Sequence, residues 1–370
     1  MNVLFIGPYR QSGEWGRKSR ALLNALQNTP HNVTSRPLYM QNTRFLNHGE
    51  ESEFTLFDSY DAVVQFSLPT LTVYDNQCGK NIGVFNNEMM NLPPDSLRRI
   101  SMFDEIWVDS EDIRESIQCK LQDVKVRVIG AYLDPWLWKL SQGDDLSILR
   151  ANTAVSDRFI FYTLGDITQK SGLREAVTAY YSTFNHTDHV ILAIIMESPV
   201  EEAAMEQLIT SCKDSVGAVR DSNSMPNVTV FNPSTPSPMK VLKSLHVEAD
   251  CFIMPSYSVN TSTLSLEAAC FGNTPILNKG TASYGALGEE NCWGIESYDE
   301  ISTLDDRPFR DMFTSQEICR KPIIKSLSSL MREAYVNKFS RDKKKKNNLD
   351  LKRHLESDEN YSSLGDILCS

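Results

Sequence analysis

Short apolar runs recur along the whole chain, and polar or glycine-containing segments separate them. Runs such as "NVLFIG" and "HVILAIIM" have too few polar residues for a strand with one solvated face, so they are typical of a parallel sheet covered on both faces. Segments with helical periodicity lie between them, as in "WGRKSRALLNALQ", where three leucines fall on one face. The pattern predicts ten buried strands, at residues 2–7, 61–67, 81–87, 104–110, 124–130, 158–165, 189–196, 227–232, 249–256 and 274–280.

The alternation of strands and helices is interrupted once, over residues 131–157, and then restarts. The interrupting segment begins "AYLDPWLWKLSQGDD" and is typical of a linker between domains. We therefore predict an α/β fold with two Rossmann-like, doubly wound domains, each built on its own parallel sheet. The predicted domains span residues 1–145 and 146–340, and a helical tail follows at residues 341–370.

The charge balance limits the partners that the protein can bind. The 370 residues carry 48 acidic and 37 basic side chains, a formal net charge of −11. Nucleic-acid binding depends on Lys and Arg side chains that neutralise phosphates, so a nucleic-acid acceptor is disfavoured. The one strongly basic run, "RDKKKKNNLDLKR" at residues 341–353, keeps open a peripheral contact with an anionic membrane; the alternative is a solvated helix face offset by nearby acids.

Neither the cysteines nor the apolar segments point to secretion, a membrane or a metal. The eight cysteines are scattered without paired CxxC spacing, so we predict reduced thiols in a cytoplasmic protein. The N-terminal residues do not read as a signal peptide, and no 18-residue apolar window occurs, so we expect no membrane span. Because Asp-x-Asp and His/Cys clusters at metal spacing are also absent from the sequence, we expect no metal and no other cofactor.

The stretch "PSYSVNTSTLSLEAACFGNTPIL", residues 255–277, joins two predicted strands through a polar turn and a short helix. In an open α/β sheet, ligands bind beyond the carboxyl ends of the strands, where a helix start offers backbone N–H groups to an anion. The predicted phosphate ligands are the N–H groups of Ser262, Thr263 and Leu264, with the two hydroxyls. Glu267 lies about one turn later and is a candidate to bind a ribose diol; the alternative is a dipole or capping residue.

Residues 249–277 resemble the donor-site motif of the retaining GT-B glycosyltransferases. That motif runs from an aspartate and a strand through Pro-Ser, a glutamate, a glycine-rich turn and a second glutamate to G-x-P. Val259 replaces the first glutamate, and the turn reads "NTSTLS". We expect Asn260 to take over part of the contact that the missing glutamate would make with the donor sugar. The matching positions are Asp250, Pro255, Ser256, Glu267, Ala268, Gly272 and Pro275.

Three further stretches are similar to the same family. "FIFYTLGDITQKSG" matches the segment in which a basic pair meets the donor diphosphate: Lys170 matches one member, whereas Asp166 stands where an arginine is expected. "FNNEMMNLPPDSLRRISMFDEIWVDS" matches a first-domain stretch in which Glu88 stands for an acid that orients the acceptor. The helical segments that end the chain resemble the last helices of the fold, which return to the first domain.

The resemblance implies an enzyme of the hexosyltransferase type, which moves a sugar from a nucleotide diphosphate sugar to a hydroxyl of a glycan or another acceptor with retention. Lys170 and Glu267 would then be the catalytic residues, and Lys170 would stabilise the leaving diphosphate without a metal ion. No side chain would act as a nucleophile. In the first domain, Gly13 and Gly16 would let the backbone approach the donor closely, while nearby Arg17 is expected to be solvated.

Two other functions stay open at this point. A non-catalytic nucleotide- or sugar-binding relative of the same fold is favoured by Val259 and Asp166, because both positions lack a group that the family uses. A transferase that acts on DNA hydroxyl groups is disfavoured by the acidic charge and kept open by the lysines at 343–346. No motif points to a particular base, sugar or oligomeric state.

Overall fold

Two parallel sheets form the framework of the chain. A computed structural model describes residues 1–11, 13–39, 51–85, 91–134, 157–164, 167, 169–196, 202–231, 238–260, 262–302 and 316–370. Within these residues there are two six-stranded sheets, one in each half of the sequence, and a separate two-stranded hairpin. Helices connect most successive strands of each sheet, as in doubly wound folds. The predicted α/β fold class is therefore confirmed.

The first sheet consists of six short strands whose pairings are all parallel. These strands are β1 (Asn2–Gly7), β2 (Asn32–Pro37), β3 (Ala62–Phe66), β4 (Lys80–Val84), β5 (Glu105–Val108) and β6 (Lys125–Val128). Their order is β2-β1-β3-β4-β5-β6, so the winding reverses between β1 and β3. All five residues of β3 are buried, as expected for a central strand that is covered on both faces.

The second sheet repeats this plan, again with parallel pairs throughout. Its strands are β7 (Phe159–Leu164), β8 (Val190–Ile195), β9 (Val228–Phe231), β10 (Cys251–Met254), β11 (Ile276–Asn278) and β12 (Trp293–Ile295). Their order is β12-β11-β10-β7-β8-β9, so the winding reverses between β10 and β7. Ligands of doubly wound sheets bind at such reversals, beyond the carboxyl ends of the strands.

The helices of the described residues bury an apolar stripe against the sheets. In the helix at Glu14–Gln27, the leucines at 22, 23 and 26 are all buried, as their spacing predicts. The helices are α1 (Glu14–Gln27), α2 (Pro94–Ile100), α3 (Glu111–Gln118), α4 (Leu173–Thr183), α5 (Glu202–Gly217), α6 (Pro238–Glu248), α7 (Thr263–Cys270), α8 (Ala282–Leu287), α9 (Ile324–Val336), α10 (Lys338–Leu355) and α11 (Asp358–Cys369).

The last helices connect the two halves of the molecule. Asn348 of α10 donates from Nδ2 to the carbonyl oxygen of Asn273 at 2.8 Å, in the second half of the chain. Leu364 and Leu368 of α11 belong to the buried cluster that covers β1 and α1 of the first half. The domain limits at 145 and 340 stay predictions, since residues 135–156, which contain most of the expected linker, lie outside the described residues.

All ten predicted strands are present, most of them shortened at one or both ends. The structure adds an edge strand to each sheet, β2 and β12, and the antiparallel hairpin of β13 (Ser297–Ser302) and β14 (Glu317–Pro322). The added strands are polar or only three residues long, so they lack a continuous apolar run. None of the described helices has the length and apolar character that a bilayer crossing requires. All eight cysteines are free thiols.

Candidate active site

Two loops meet where the second sheet reverses its winding. β7 and β10 are parallel neighbours, so the loops that leave their carboxyl ends emerge side by side. The carbonyl oxygen of Lys170 accepts hydrogen bonds from the Tyr257 N–H at 2.9 Å and from Ser256 Oγ at 3.2 Å. Gly172 has a φ of +69°, and a Cβ there would lie 2.0 Å from the carbonyl oxygen of Pro255. These contacts hold the Lys170 backbone against the polar turn, as the sequence interpretation requires.

Helix α7 begins at the end of this turn with buried polar groups. Ser262 is its N-cap residue, but its side chain makes no capping hydrogen bond. The hydroxyls of Ser262 and Thr263 are buried, and neither has a hydrogen-bond partner among the described residues. The N–H of Ser262, a predicted phosphate ligand, donates to Ser283 Oγ at 2.6 Å. Leu264 packs its side chain in the apolar core, so its predicted contribution would come from its backbone N–H alone.

Val259 has a packing role where the motif has a glutamate. Its side chain is buried in an apolar cluster that otherwise consists of first-domain residues, among them Phe85 and Val108. The neighbouring Asn260 is also buried, and its Oδ1 accepts a hydrogen bond from Ser258 Oγ at 2.8 Å. The valine therefore contributes to the contact between the two halves of the molecule, which a charged glutamate could not do without a large desolvation penalty.

Replacing Val259 by alanine is expected to lower the free energy of unfolding by about 2 kcal/mol, because two buried methyl groups are lost and a cavity remains. Urea unfolding followed by circular dichroism measures the change. Val219→Ala is the matched control, since that side chain is 88% exposed and its truncation should change stability by less than about 0.5 kcal/mol. Equal effects of the two substitutions would contradict the packing role of Val259.

Glu267 is completely buried inside α7, and its two carboxyl oxygens have no hydrogen-bond partner among the described residues. Burial raises its pKa to about 8, a rise that Arg17 opposes and Asp134 reinforces. The expectation that Arg17 is solvated is wrong, because only 4% of this residue is exposed. Helix α1 carries Arg17 into contact range of α7, and sequence spacing contains no information on this packing between domains.

His246 lies beside Glu267 without forming an ion pair. Its Nε2 is 3.9 Å from Oε2 of Glu267, too far for a hydrogen bond, and its Nδ1 is hydrogen-bonded to the Tyr162 hydroxyl at 2.6 Å. Burial and, to a smaller extent, the charge of Arg17 lower the pKa of His246 to about 3. Since burial also raises the pKa of Glu267, it favours the neutral form of both groups at pH 7.

The two glycines of the first-domain loop have different roles. Gly13 is the N-cap of α1, and a Cβ there would meet no atom within 4 Å, so the space beside it is open. At Gly16 a Cβ would lie 1.9 Å from the carbonyl oxygen of Gln11, so the loop packs tightly on the helix at that point. Arg20 fixes the same loop, donating to the carbonyl oxygens of Tyr9 at 2.8 Å and Gln11 at 2.6 Å.

A cleft of about 680 Å³ separates the carboxyl ends of the two sheets. Its first-domain wall includes the ends of β3, β4, β5 and β6, and its opposite wall includes the first residues of α7 and α8. Among the predicted site residues, Thr263 lines the cleft, whereas Lys170, Glu267 and the two loop glycines do not. Among the described residues, no group of three or more His, Cys, Asp or Glu could hold a metal ion.

Comparison with known proteins gives similarity in three dimensions only. No protein-family model matches the chain, and no curated protein sequence matches it either. A solved trehalose-6-phosphate synthase is 9% identical with a TM-score of 0.66, and the alignment covers 100% of this chain and 99% of that one. The sucrose-phosphate synthase of Thermosynechococcus elongatus is 12% identical with a TM-score of 0.63, over 100% and 98% of the two chains.

A third solved structure supports the same fold. The UDP-forming trehalose-phosphate synthase of Burkholderia xenovorans, in complex with glucose-6-phosphate, is 10% identical with a TM-score of 0.60 over 85% of this chain and 74% of that one. The chain has the GT-B fold. This confirms the fold that the sequence motifs suggested, although identities this low carry no information on substrate.

Two positions of the GT-B motifs lie outside the described residues. They are Glu88, the predicted acceptor-orienting acid, and Asp166, which stands where the GT-B motif has an arginine. Within the described part, the loop after β7 and the polar turn are in contact at Lys170 and Ser256. The roles in binding a donor stay predictions for all the residues named for it: Gly13, Gly16, Lys170, Asn260, Ser262, Thr263, Leu264 and Glu267.

Proposed function

We propose that this protein is a glycosyltransferase that moves a sugar from a nucleotide diphosphate sugar to an acceptor hydroxyl. The observation that carries the proposal lies at the start of α7, where the buried hydroxyls of Ser262 and Thr263 have no hydrogen-bond partner among the described residues and Thr263 lines the cleft. Each unsatisfied buried group costs about 1–3 kcal/mol. Phosphate oxygens would satisfy the two hydroxyls, and Lys170 is held on the adjacent loop.

Proteins of the same fold support the donor and the stereochemistry. The Burkholderia xenovorans trehalose-phosphate synthase is UDP-forming and was solved with glucose-6-phosphate, a sugar phosphate. Glycosyl transfer with retention is described for a trehalose-6-phosphate synthase that is 11% identical to this chain. We extend both properties to this chain: a nucleotide diphosphate leaves, and the anomeric configuration of the sugar is retained.

The proposed reaction needs no covalent intermediate. The bond between the anomeric carbon and the diphosphate oxygen breaks, and a bond from the acceptor oxygen to the same face of that carbon forms. The acceptor proton passes to the departing phosphate oxygen, so atoms and charge balance without a protein nucleophile. The protein then has two tasks, which are to orient the acceptor and to stabilise the negative charge that develops on the diphosphate.

Protein groups would supply the positive charge that some transferases take from a metal. A lysine ammonium about 4 Å from a phosphate oxygen contributes on the order of 4 kcal/mol at an effective dielectric constant near 20. A helix N-terminus typically adds ~0.3–2 kcal/mol. Lys170 is therefore the larger source in the proposed mechanism, and the N–H groups of Thr263 and Leu264 are the smaller one.

A panel of UDP, GDP, ADP and CMP sugars tests this function. At a concentration a hundred times its Kd, the correct donor should stabilise the fold by about 2.7 kcal/mol, measured as a rise in Tm. The rise should be the same in EDTA, and nucleotide should be released when an acceptor is added. If no donor raises the Tm, the proposal is refuted. If the rise is lost in EDTA, the proposed metal independence is refuted. If a donor binds but no nucleotide is released with any acceptor, the non-catalytic alternative that Val259 suggests is favoured.

One lysine of the basic run of α10 has a structural role that adds nothing to the case for a DNA acceptor. Lys344 is the second of its four consecutive lysines, and its Nζ donates to the carbonyl oxygen of Cys292 at 2.8 Å. The same ammonium lies 5.6 Å from the centre of the Trp293 ring. This lysine therefore attaches the helix to the second domain and does not present its charge to a ligand. A peripheral membrane contact and a cytoplasmic location stay predictions from the sequence.

A further inference from the structure

The cleft between the two sheets has a mainly apolar wall. Its apolar side chains come from both domains and from the tail, and include Leu22, Phe66, Val108, Ile129, Leu266 and Leu355. A wall of this kind gains free energy when it removes an apolar ligand from water. At about 680 Å³ the cleft also has the volume of a small-molecule site.

The charges at the cleft are predominantly acidic. Asp109, Glu111 and Asp112 line it at the start of α3, and Lys18 is the one lysine among the described lining residues, which include no arginine. Lys18 Nζ lies 3.4 Å from Oδ2 of Asp109, so its charge is already balanced. Glu111 pairs with Arg114, which does not line the cleft.

Recognition of a phosphate group has different requirements. A phosphate carries close to two negative charges, and proteins bind it with arginine clusters, lysines or helix N-termini. Lys18 is already paired with Asp109, and against leucine, valine and phenylalanine a phosphate would lose its hydration without compensation. The described walls of the cleft therefore disfavour a ligand such as glucose-6-phosphate.

We propose that the acceptor is an uncharged hydroxyl compound with an apolar body, and not a sugar phosphate. The proposal rests on the glycosyltransferase function proposed above, and it names the acceptor class of that same site. It differs from the acceptor class of a protein with the same fold, since the Burkholderia xenovorans enzyme was solved with glucose-6-phosphate. The hydroxyl would face the donor end of the cleft near Thr263, and the apolar body would contact the wall formed by α1 and the strand ends.

Binding of two glucosides and one glucose phosphate tests the acceptor class without requiring turnover. Octyl glucoside, used below its critical micelle concentration, has the same sugar as methyl glucoside and an added apolar tail, while glucose-6-phosphate has an added charge. Titration calorimetry on the full chain is expected to give octyl glucoside a Kd at least tenfold below those of the other two. Equal or tighter binding of glucose-6-phosphate would overturn the proposal, and so would absence of binding by all three.

A surface substitution locates the binding site. Ala286 is exposed on α8 and lines the cleft, so Ala286→Asp should raise the Kd of octyl glucoside about tenfold. Ala203→Asp is the matched control, because Ala203 is exposed on α5 and does not line the cleft. An unchanged Kd in Ala286→Asp, or an equal loss in the control, would refute the assignment to this cleft.

The two proposals fail in different ways. If octyl glucoside binds as expected and no donor sugar is ever transferred, the glycosyltransferase function is wrong and the ligand class of the cleft is retained. If sugar is transferred with glucose-6-phosphate as the preferred acceptor, the function is retained and the acceptor class is wrong.

Discussion

Lys170→Ala is expected to lower the rate of sugar transfer about 10³-fold while the protein stays folded. The lost interaction with the leaving diphosphate is on the order of 4 kcal/mol, and each 1.36 kcal/mol of transition-state stabilisation changes the rate tenfold. The loss should appear in kcat more than in KM, because the negative charge on the diphosphate grows as the sugar departs. Steady-state release of the nucleoside diphosphate measures both parameters.

Two control variants make the Lys170 result specific. Lys325→Ala removes an exposed lysine at the start of α9, on another face of the same domain, and should leave the rate unchanged. Lys170→Arg keeps the positive charge and should recover a large part of the lost activity. A rate near that of the unmodified protein in Lys170→Ala would show that the diphosphate is stabilised elsewhere and would remove Lys170 from the mechanism.

Glu267→Gln is expected to stabilise the protein at alkaline pH by on the order of 4 kcal/mol. In the folded protein the pKa of Glu267 is about 8, and its ordinary value is 4.5. Between these two values the folded state holds one proton more than the unfolded state, so the free energy of unfolding falls as pH rises. Glutamine has no proton to lose, so the difference between variant and unmodified protein should grow from pH 4.5 to 8 and then level off.

Urea unfolding of both proteins at several pH values measures this difference. Glu333→Gln is the control, since Glu333 is exposed on α9 and its curve should run parallel to that of the unmodified protein. The opposite result would be destabilisation by Glu267→Gln near pH 7. It is expected if Glu267 and His246 form a buried ion pair, because the glutamine would leave a buried charge without its partner. That outcome would contradict the neutral pair described above.

The strands illustrate why the fold could be predicted from local patterns. β3 and β8 are buried along their entire length, so β8 appears in the sequence as a continuous apolar run and β3 as one interrupted only by Gln65. β2 is an edge strand with mixed burial and reads "NVTSRP", while β12 has three residues, so neither produces a recognisable run. Local pattern therefore identifies strands that carry an apolar run, including the edge strands β6 and β9, whereas β2 and β12 depend on pairing with a strand already in place.

The candidate site shows a different limit of prediction. Lys170 and the polar turn could be paired in advance, because each follows a buried strand and a motif marks both stretches. The burial of Arg17 and of Glu267 could not, because it depends on α1 and α7 packing together across about 250 residues of chain. The same packing places Val259 in a first-domain cluster and explains a departure from the motif that looked like a lost contact.

By itself, the sequence determined that the chain forms two doubly wound domains and that a polar turn before α7 is the place to look for a ligand, since apolar periodicity and contiguous motifs are local properties. Only the tertiary structure decided which buried ionisable groups favour their neutral forms and which side chains line the cleft. Glu267 and His246 do so because the packed interior desolvates both of them, and the cleft is apolar because side chains distant in sequence, such as Leu22 and Leu355, converge on it.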